Sequence, residues 1–185
     1  MWNPKHQKEA LFRLLQERFG VAECKGEKTF DWLRTPPKGT TLSECTADYK
    51  AILKALCKYR NRCGFFGMRS RKLPCDFVIE KRKLIIEYDE RQHFTAARKI
   101  VLRNYPQDVV LHFSSSGWMK YCDEIDALDN HPPYRDEQRA FYDSLRDIEA
   151  FRNGWTLLRI KDRDIDWETA SMKTLNSILK HGNNR

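Results

Sequence analysis

Residues 75–89 read CDFVIEKRKLIIEYD, and this stretch decides the fold. Two short apolar runs, FVI at 77–79 and LII at 84–86, flank the charged segment EKRK at 80–83. A polar connection of this length between two apolar runs is typical of a β-hairpin. We therefore predict two adjacent antiparallel strands.

Outward from the hairpin, apolar residues at helical spacing predict a helix over 5–19 that stops at Gly20. Further helices are predicted over about 46–60 and, as a long polar helix ended by Asn153-Gly154, over about 135–152. Further strands are predicted at 109–111 and 155–160, and a last helix beginning at Asp166 or Thr169. The pattern breaks over 21–43, where 35–39 is expected to be an exposed connection. Together these elements predict one α/β domain over 1–185, with a mixed β-sheet flanked by helices.

The composition favours an acidic partner. The chain has 34 Lys+Arg against 26 Asp+Glu, a net charge of +8, and a pI near 9.2. Such an excess favours a polyanion such as nucleic acid. No apolar run approaches the ~18 residues of a membrane span, and the opening MWNPKHQKEALF lacks the apolar stretch of a secretory signal. We expect an intracellular protein without a membrane partner.

Between Tyr49 and Cys75 there is no acidic residue. Aromatic residues and glycines are interleaved with the positive charges of this segment, which lets the backbone approach a phosphate chain. We predict a DNA-facing segment, against the alternative of an ordinary solvated face. Its basic residues are Lys50, Lys54, Lys58, Arg60, Arg62, Arg69, Arg71 and Lys72.

The second hairpin strand ends in acidic residues. Because side chains alternate along a strand, Glu87 and Asp89 are expected on one face, and Asp76 is placed to converge with Glu87. Such an acidic cluster is stable mainly with a divalent cation, and oxygen ligands suit Mg²⁺, with Mn²⁺ able to substitute. Just beyond the strand, His93 can take a proton from water or support a leaving oxygen, and Gln92 can orient the same water.

The six cysteines are irregularly spaced and form no CxxC pair. Buried or free thiols are therefore expected. A zinc site drawing on Cys24, Cys45, Cys57 and Cys63 stays open as an alternative, because zinc ligands can come from distant loops.

The motif CDFVI at 75–79 followed by IIEYDERQHF at 85–94 resembles the PD-(D/E)XK nuclease superfamily, and is most similar to the branch of very-short-patch repair endonucleases. Further on, Asp143 and Arg146 followed by LLRI at 157–160 match the D-x-x-K/R helix and the strand of that branch. Asp136 and Arg139 repeat the helix spacing one heptad earlier.

The resemblance implies a restriction-endonuclease-like core in a single nuclease domain, with insertions at about 21–72 and 95–134. It implies that Asp76, Glu87 and the backbone carbonyl of Tyr88 hold the metal, and that Glu9 on the first helix supports the site. Two positions depart from the pattern: residue 89 is Asp where much of the superfamily has Lys, and residue 90 is Glu where this branch has Gly.

The resulting hypothesis is a Mg²⁺-dependent endonuclease that hydrolyses double-stranded DNA in restriction or repair. Asp89, Gln92 and His93 would manage water, and Arg146 and Arg159 would meet phosphate. Cutting both strands would require a homodimer, whereas nicking would not. Two alternatives remain open: a catalytically inactive nuclease-like module that binds DNA or protein, and a nuclease specific for branched or flapped DNA. The sequence does not identify the target.

Overall fold

The chain contains both helices and strands in the computed structural model, which describes residues 3–36, 42, 44–61 and 70–183. The elements within these residues are α1 (Pro4–Phe19), β1 (Cys24–Arg34), α2 (Ala47–Arg60), β2 (Lys72–Ile79), β3 (Leu84–Asp89), α3 (Ala96–Leu102), α4 (Ser115–Ile125), α5 (Arg135–Arg152), β4 (Thr156–Lys161) and α6 (Met172–Asn183). The α/β class and the mixed sheet flanked by helices are confirmed.

The four strands lie in the order β1-β2-β3-β4. β2 pairs antiparallel with both of its neighbours, β1 and β3, while β4 runs parallel to β3. The predicted hairpin is β2–β3, whose connection is a 3₁₀ turn over Glu80–Arg82 closed by Lys83 at a φ of +46°. A parallel neighbour requires a long crossover, and α3, α4 and α5 provide it between β3 and β4.

Alternation along the central strands gives the sheet two apolar faces. On one face, Ile85 and Leu157 pack with residues of α2, α3 and α5. On the other face, Ile86 and Leu158 pack with residues of α1 and α6. Because both faces are covered, β3 is buried along its whole length. Any polar side chain on β3 therefore needs a partner.

A third apolar cluster joins the turn after β3 to α4. Phe94 meets the ring of Tyr121 at 4.4 Å between centroids, and Phe113 meets Trp118 at 4.9 Å. The stretch predicted as an insertion over 95–134 thus contains α3 and α4, and α3 packs on both α5 and α4. In the described residues, no helix is long and apolar enough to cross a membrane.

Three sequence predictions about elements are wrong. Residues 21–43 contain β1, an edge strand whose sequence CKGEKTFDWLR is too polar to show a strand pattern. Residues 109–111 form no strand: Val110 is half exposed, and Val109 donates its N–H to the Pro106 carbonyl in a turn. The last helix begins at Met172, because the Asp166 carboxylate caps a local turn by accepting from the Glu168 N–H.

The cysteines are mostly buried thiols, as predicted. The thiols of Cys24, Cys45, Cys75 and Cys122 are buried. Cys57, however, is disulfide-bonded, so the thiol prediction is wrong there, and Cys63 lies outside the described residues. Cys24 and Cys45 belong to the clusters on opposite faces of the sheet. The part of the chain that the structure describes therefore brings no cysteines together as a zinc site.

Candidate active site

The hairpin opens at one end, and two carboxylates fill the opening. Pairing between β2 and β3 stops at Phe77 and Ile86, whereas β2 continues alongside β1. At the next position on each strand, the Asp76 Oδ2 accepts the Tyr88 N–H at 3.0 Å and the Glu87 Oε1 accepts the Asp76 N–H at 3.1 Å. Each side chain thus takes the place of a carbonyl from the opposite strand. The structure brings Asp76 and Glu87 together.

Two cations border this carboxylate pair. The Lys8 Nζ of α1 lies 2.5 Å from the Asp76 Oδ1. The Arg146 Nε of α5 lies 3.5 Å from the Glu87 Oε2 and donates to the Pro74 carbonyl at 3.0 Å. Residues from both helical layers therefore converge on the open end of the hairpin.

Glu87 is held in an environment that opposes its negative charge. Its side chain is 7% exposed. Burial, and then the charge of Asp76, raise the pKa of Glu87 to about 8, although Arg146 and Arg159 act in the opposite direction. At neutral pH the pair therefore gains stability from an added proton or cation.

The donors of this pair fit Mg²⁺ or Mn²⁺. Asp76 and Glu87 supply carboxylate oxygens, and Tyr88, the residue after Glu87, is held beside Asp76 by its N–H. Within the described residues no three His, Cys, Asp or Glu side chains form a metal-binding group. Two carboxylates are nevertheless a common protein contribution to a Mg²⁺ site, because this ion retains several waters.

Asp89 is not the third acid of the cluster. It points to the same side of the sheet as Glu87, but its Oδ1 binds the Arg159 Nη1 at 2.6 Å and its Oδ2 accepts the Trp118 Nε1–H at 2.8 Å. The Arg159 side chain is 0% exposed and also binds Asp147 at 2.8 Å. Asp89 and Arg159 thus form a buried ion pair. Neither the water-managing role of Asp89 nor the phosphate-binding role of Arg159 agrees with this burial.

His93 forms a dyad with Asp143. The Nδ1 of His93 lies 3.0 Å from the Asp143 Oδ2 and 3.7 Å from the Asp89 Oδ1. Burial acts to lower the pKa of His93, but the charge of Asp143 and its hydrogen bond outweigh burial and raise the pKa above its usual value. The charges of His93 and Arg159 outweigh burial at Asp143 and hold its pKa well below the usual range. Each group of the dyad therefore favours the charged form of the other, an imidazolium beside a carboxylate.

Gln92 and Glu90 lie at the rim. Gln92 donates from Nε2 to the Glu90 Oε2 at 2.8 Å, and its Oε1 accepts from Arg139 at 3.3 Å. Glu90 has an ordinary extended backbone with a φ of −72°, so the absence of glycine there causes no backbone strain. Its carboxylate is bound to Gln92. It is therefore not an additional acid of the Asp76–Glu87 pair.

Glu9 does not reach the carboxylate pair. It is exposed and lines a cavity of about 770 Å³ with His6, Arg13 and Trp167. The α1 residues that reach the site are Lys8, which binds Asp76, and Gln7, whose Oε1 accepts the Tyr88 hydroxyl at 2.5 Å. Sequence reasoning missed both, because only the packing of α1 on the sheet shows which of its turns faces the hairpin.

The predicted DNA-facing segment is described only in part. Arg60 pairs with the buried Glu137, and the Arg71 guanidinium lies over the Tyr142 ring at 5.4 Å. Lys72 forms an ion pair with Asp31 at 2.5 Å. Arg62 and Arg69 lie outside the described residues. Arg60 and Arg71 border α5, the helix that carries Asp143 and Arg146.

No family model, curated protein or solved structure matches this chain. The open hairpin and the groups around it are therefore the features of the molecule that indicate a function.

Proposed function

We propose that this protein is a metal-dependent DNA endonuclease with a restriction-endonuclease-like core. One observation carries the proposal: Asp76 and Glu87 meet where the hairpin opens, each bonded to the opposite backbone, with the buried Glu87 destabilised as an anion. Two carboxylates anchored to the backbone, one of them opposed as an anion by its burial, suit a divalent cation as oxygen donors.

The order of elements supports the same proposal. α1, the hairpin, α5 with Asp143 and Arg146, and β4 with LLRI at 157–160 follow one another as the resemblance to PD-(D/E)XK nucleases implies. Arg146 extends from α5 to Glu87, and His93 bonds to Asp143 of the same helix. The motifs separated in sequence thus meet around one pair of carboxylates.

When bound by Asp76, Glu87 and the Tyr88 carbonyl, the metal would activate water and stabilise charge on the phosphate. His93 would then act on the leaving oxygen. Its Nδ1 is held by Asp143, and its raised pKa favours the protonated ring, in which Nε2 carries a proton to donate. Gln92 at the rim would orient water.

Double-stranded DNA is the proposed substrate. The net charge of +8 favours a polyanion. Arg71 and Lys72 are exposed at the start of β2, the strand that leads directly to Asp76. Phosphate contacts from these residues would place a duplex beside the carboxylate pair. Cleavage of both strands would require two copies of the chain, each with one site.

A second candidate is a nuclease-like module that binds DNA or a protein without cutting. It is favoured by Lys8 and Arg146, because these residues already neutralise Asp76 and Glu87 without a metal. The two candidates differ in one respect that can be measured. A binding module has no reason to require a divalent cation.

Plasmid cleavage tests the proposal. Supercoiled plasmid is incubated with the wild type, Asp76→Asn, Glu87→Gln and, as a matched surface control, Glu124→Gln, with Mg²⁺, Mn²⁺ or EDTA. We expect nicked or linear DNA from the wild type and the control only with metal, and none from the two site variants. Equal cleavage by the site variants would refute the assignment. DNA binding by all four proteins without any cleavage would favour the binding module.

A further inference from the structure

Lys8 is the cation most available to a ligand at the carboxylate pair. Its ammonium contacts the Asp76 Oδ1 at 2.5 Å, and its side chain is 31% exposed. An ammonium has three N–H donors, and within the described residues only the Asp76 carboxylate accepts from it. The remaining donors therefore face solvent beside the pair.

The other cation at the pair, Arg146, already contacts several oxygen atoms of the protein. Arg146 donates to the Pro74 carbonyl at 3.0 Å and lies 3.4 Å from Asp143 and 3.5 Å from Glu87, with 15% of its side chain exposed. Access to the pair is also uneven, since Asp76 is 20% exposed and Glu87 only 7%. A phosphate that approaches from solvent therefore meets the pair on the side of Asp76, where Lys8 lies.

The helix that carries Lys8 is fixed relative to the hairpin. Leu11 and Leu15 are 0% exposed in the core beneath the sheet. Gln7 accepts the hydroxyl of Tyr88, the residue whose N–H binds Asp76. The ammonium is thus presented from a rigid element. Such preorganisation is what gives a charged group its effect on a reaction barrier.

We propose that Lys8 is a catalytic residue that contacts a non-bridging oxygen of the phosphate to be cleaved; this inference rests on the proposed nuclease function. In hydrolysis the water oxygen bonds to phosphorus and releases a proton to solvent, the bond to the leaving oxygen breaks, and the leaving oxygen takes up a proton from His93. Lys8 supplies positive charge to the phosphate throughout and keeps its own protons. Its role is the stabilisation of negative charge that increases on the phosphate oxygens.

The same geometry predicts two opposite effects of removing Lys8. Before a metal binds, the ammonium neutralises Asp76, so it competes with a divalent cation for that carboxylate. Without Lys8, the cation should bind more tightly because a like charge next to it is removed. Cleavage should nevertheless slow down. A residue that only held α1 against the hairpin would instead support both metal binding and cleavage.

The test compares Lys8→Ala and Lys8→Arg with Lys5→Ala, a control that removes the same charge from the same helix. Mn²⁺ affinity is measured by calorimetry without DNA. The rate of DNA cleavage is measured in single-turnover reactions at saturating Mn²⁺. For Lys8→Ala we expect Mn²⁺ to bind about tenfold more tightly and cleavage to slow by about a hundredfold. Lys8→Arg should recover most of the rate, and Lys5→Ala should match the wild type.

Cleavage by Lys8→Ala at the wild-type rate, with Asp76→Asn inactive, would overturn the role of Lys8 and leave the nuclease proposal standing. Slower cleavage with weaker Mn²⁺ binding would also overturn it, in favour of a structural role. A wild type that never cleaves DNA would overturn both proposals.

Discussion

Removal of the Asp89 carboxylate should destabilise the protein strongly, whatever its effect on DNA cleavage. Asp89 is 1% exposed, and it bonds to Arg159 at 2.6 Å and to the Trp118 Nε1–H at 2.8 Å. Asp89→Ala leaves a buried guanidinium and a buried indole N–H without these acceptors. Asp89→Asn keeps an oxygen for one of them and removes the charge.

The size of the effect follows from burial. Loss of one partner of a buried ion pair costs about 3–5 kcal/mol, because the other charge remains away from water. Arg159 retains Asp147 at 2.8 Å and the Asp143 carbonyl at 3.2 Å, which places Asp89→Ala toward the lower end. For a domain of this size, about 3 kcal/mol lowers Tm by roughly 6–12 °C. Asp89→Asn should cost less than Asp89→Ala.

Urea unfolding at pH 7 without metal measures this difference. Asp123→Ala serves as a control, because Asp123 is 59% exposed and pairs with Lys99 on the surface, where such pairs contribute at most about 1 kcal/mol. If Asp89→Ala loses no more stability than Asp123→Ala, Asp89 is not part of a buried ion pair, and its assignment to water at the site has to be considered again.

Three further predictions concern pH and DNA. Metal-free Glu87→Gln should be more stable than the wild type at pH 8.5 but not at pH 5. The reason is that wild-type stability falls as pH rises from 4.5 through the raised Glu87 pKa of about 8. A difference in unfolding free energy between the two proteins that is the same at both pH values in urea titrations would contradict this. His93→Gln should destabilise more at pH 6 than at pH 9, since the ion pair that raises the His93 pKa stabilises the protein below pH 6.5 and is lost as pH rises through the raised pKa; equal losses would refute it. Arg71→Ala with Lys72→Ala should reduce the slope of log affinity for DNA against log salt by up to about two, and an unchanged slope would indicate a solvated face.

The sequence predicted the elements whose signals are local. The hairpin is visible because two apolar runs enclose EKRK at 80–83, and the end of α5 is visible because Asn153-Gly154 stops a helix. β1 was missed because an edge strand pairs on one side only and tolerates a polar sequence. The stretch 109–111 has strand-like residues, but it is not one of the strands of the sheet. Val109 packs on the cluster that contains Ile85 and Leu157, and Leu111 packs on the cluster of α4.

In the candidate site, too, the contacts that are local in sequence were predictable and the distant ones were not. The pairing of Asp76 with Glu87 follows from hairpin alternation, which is local. The fate of Asp89 depended on β4 and α4, which bring Arg159 and Trp118 to it from far along the chain. A strand pattern shows which face a side chain occupies. It does not show whether a distant arginine neutralises that side chain.

The most direct test of the central claim is to measure Mn²⁺ binding to the metal-free protein by calorimetry. The account predicts one ion for each chain of wild type, with affinity lowered more than about tenfold by either Asp76→Asn or Glu87→Gln, because each removes one of the two carboxylates that supply ligand charge. Wild-type protein that binds no Mn²⁺, or two variants that bind it as tightly as the wild type, would contradict the claim that the open end of the hairpin is a metal site.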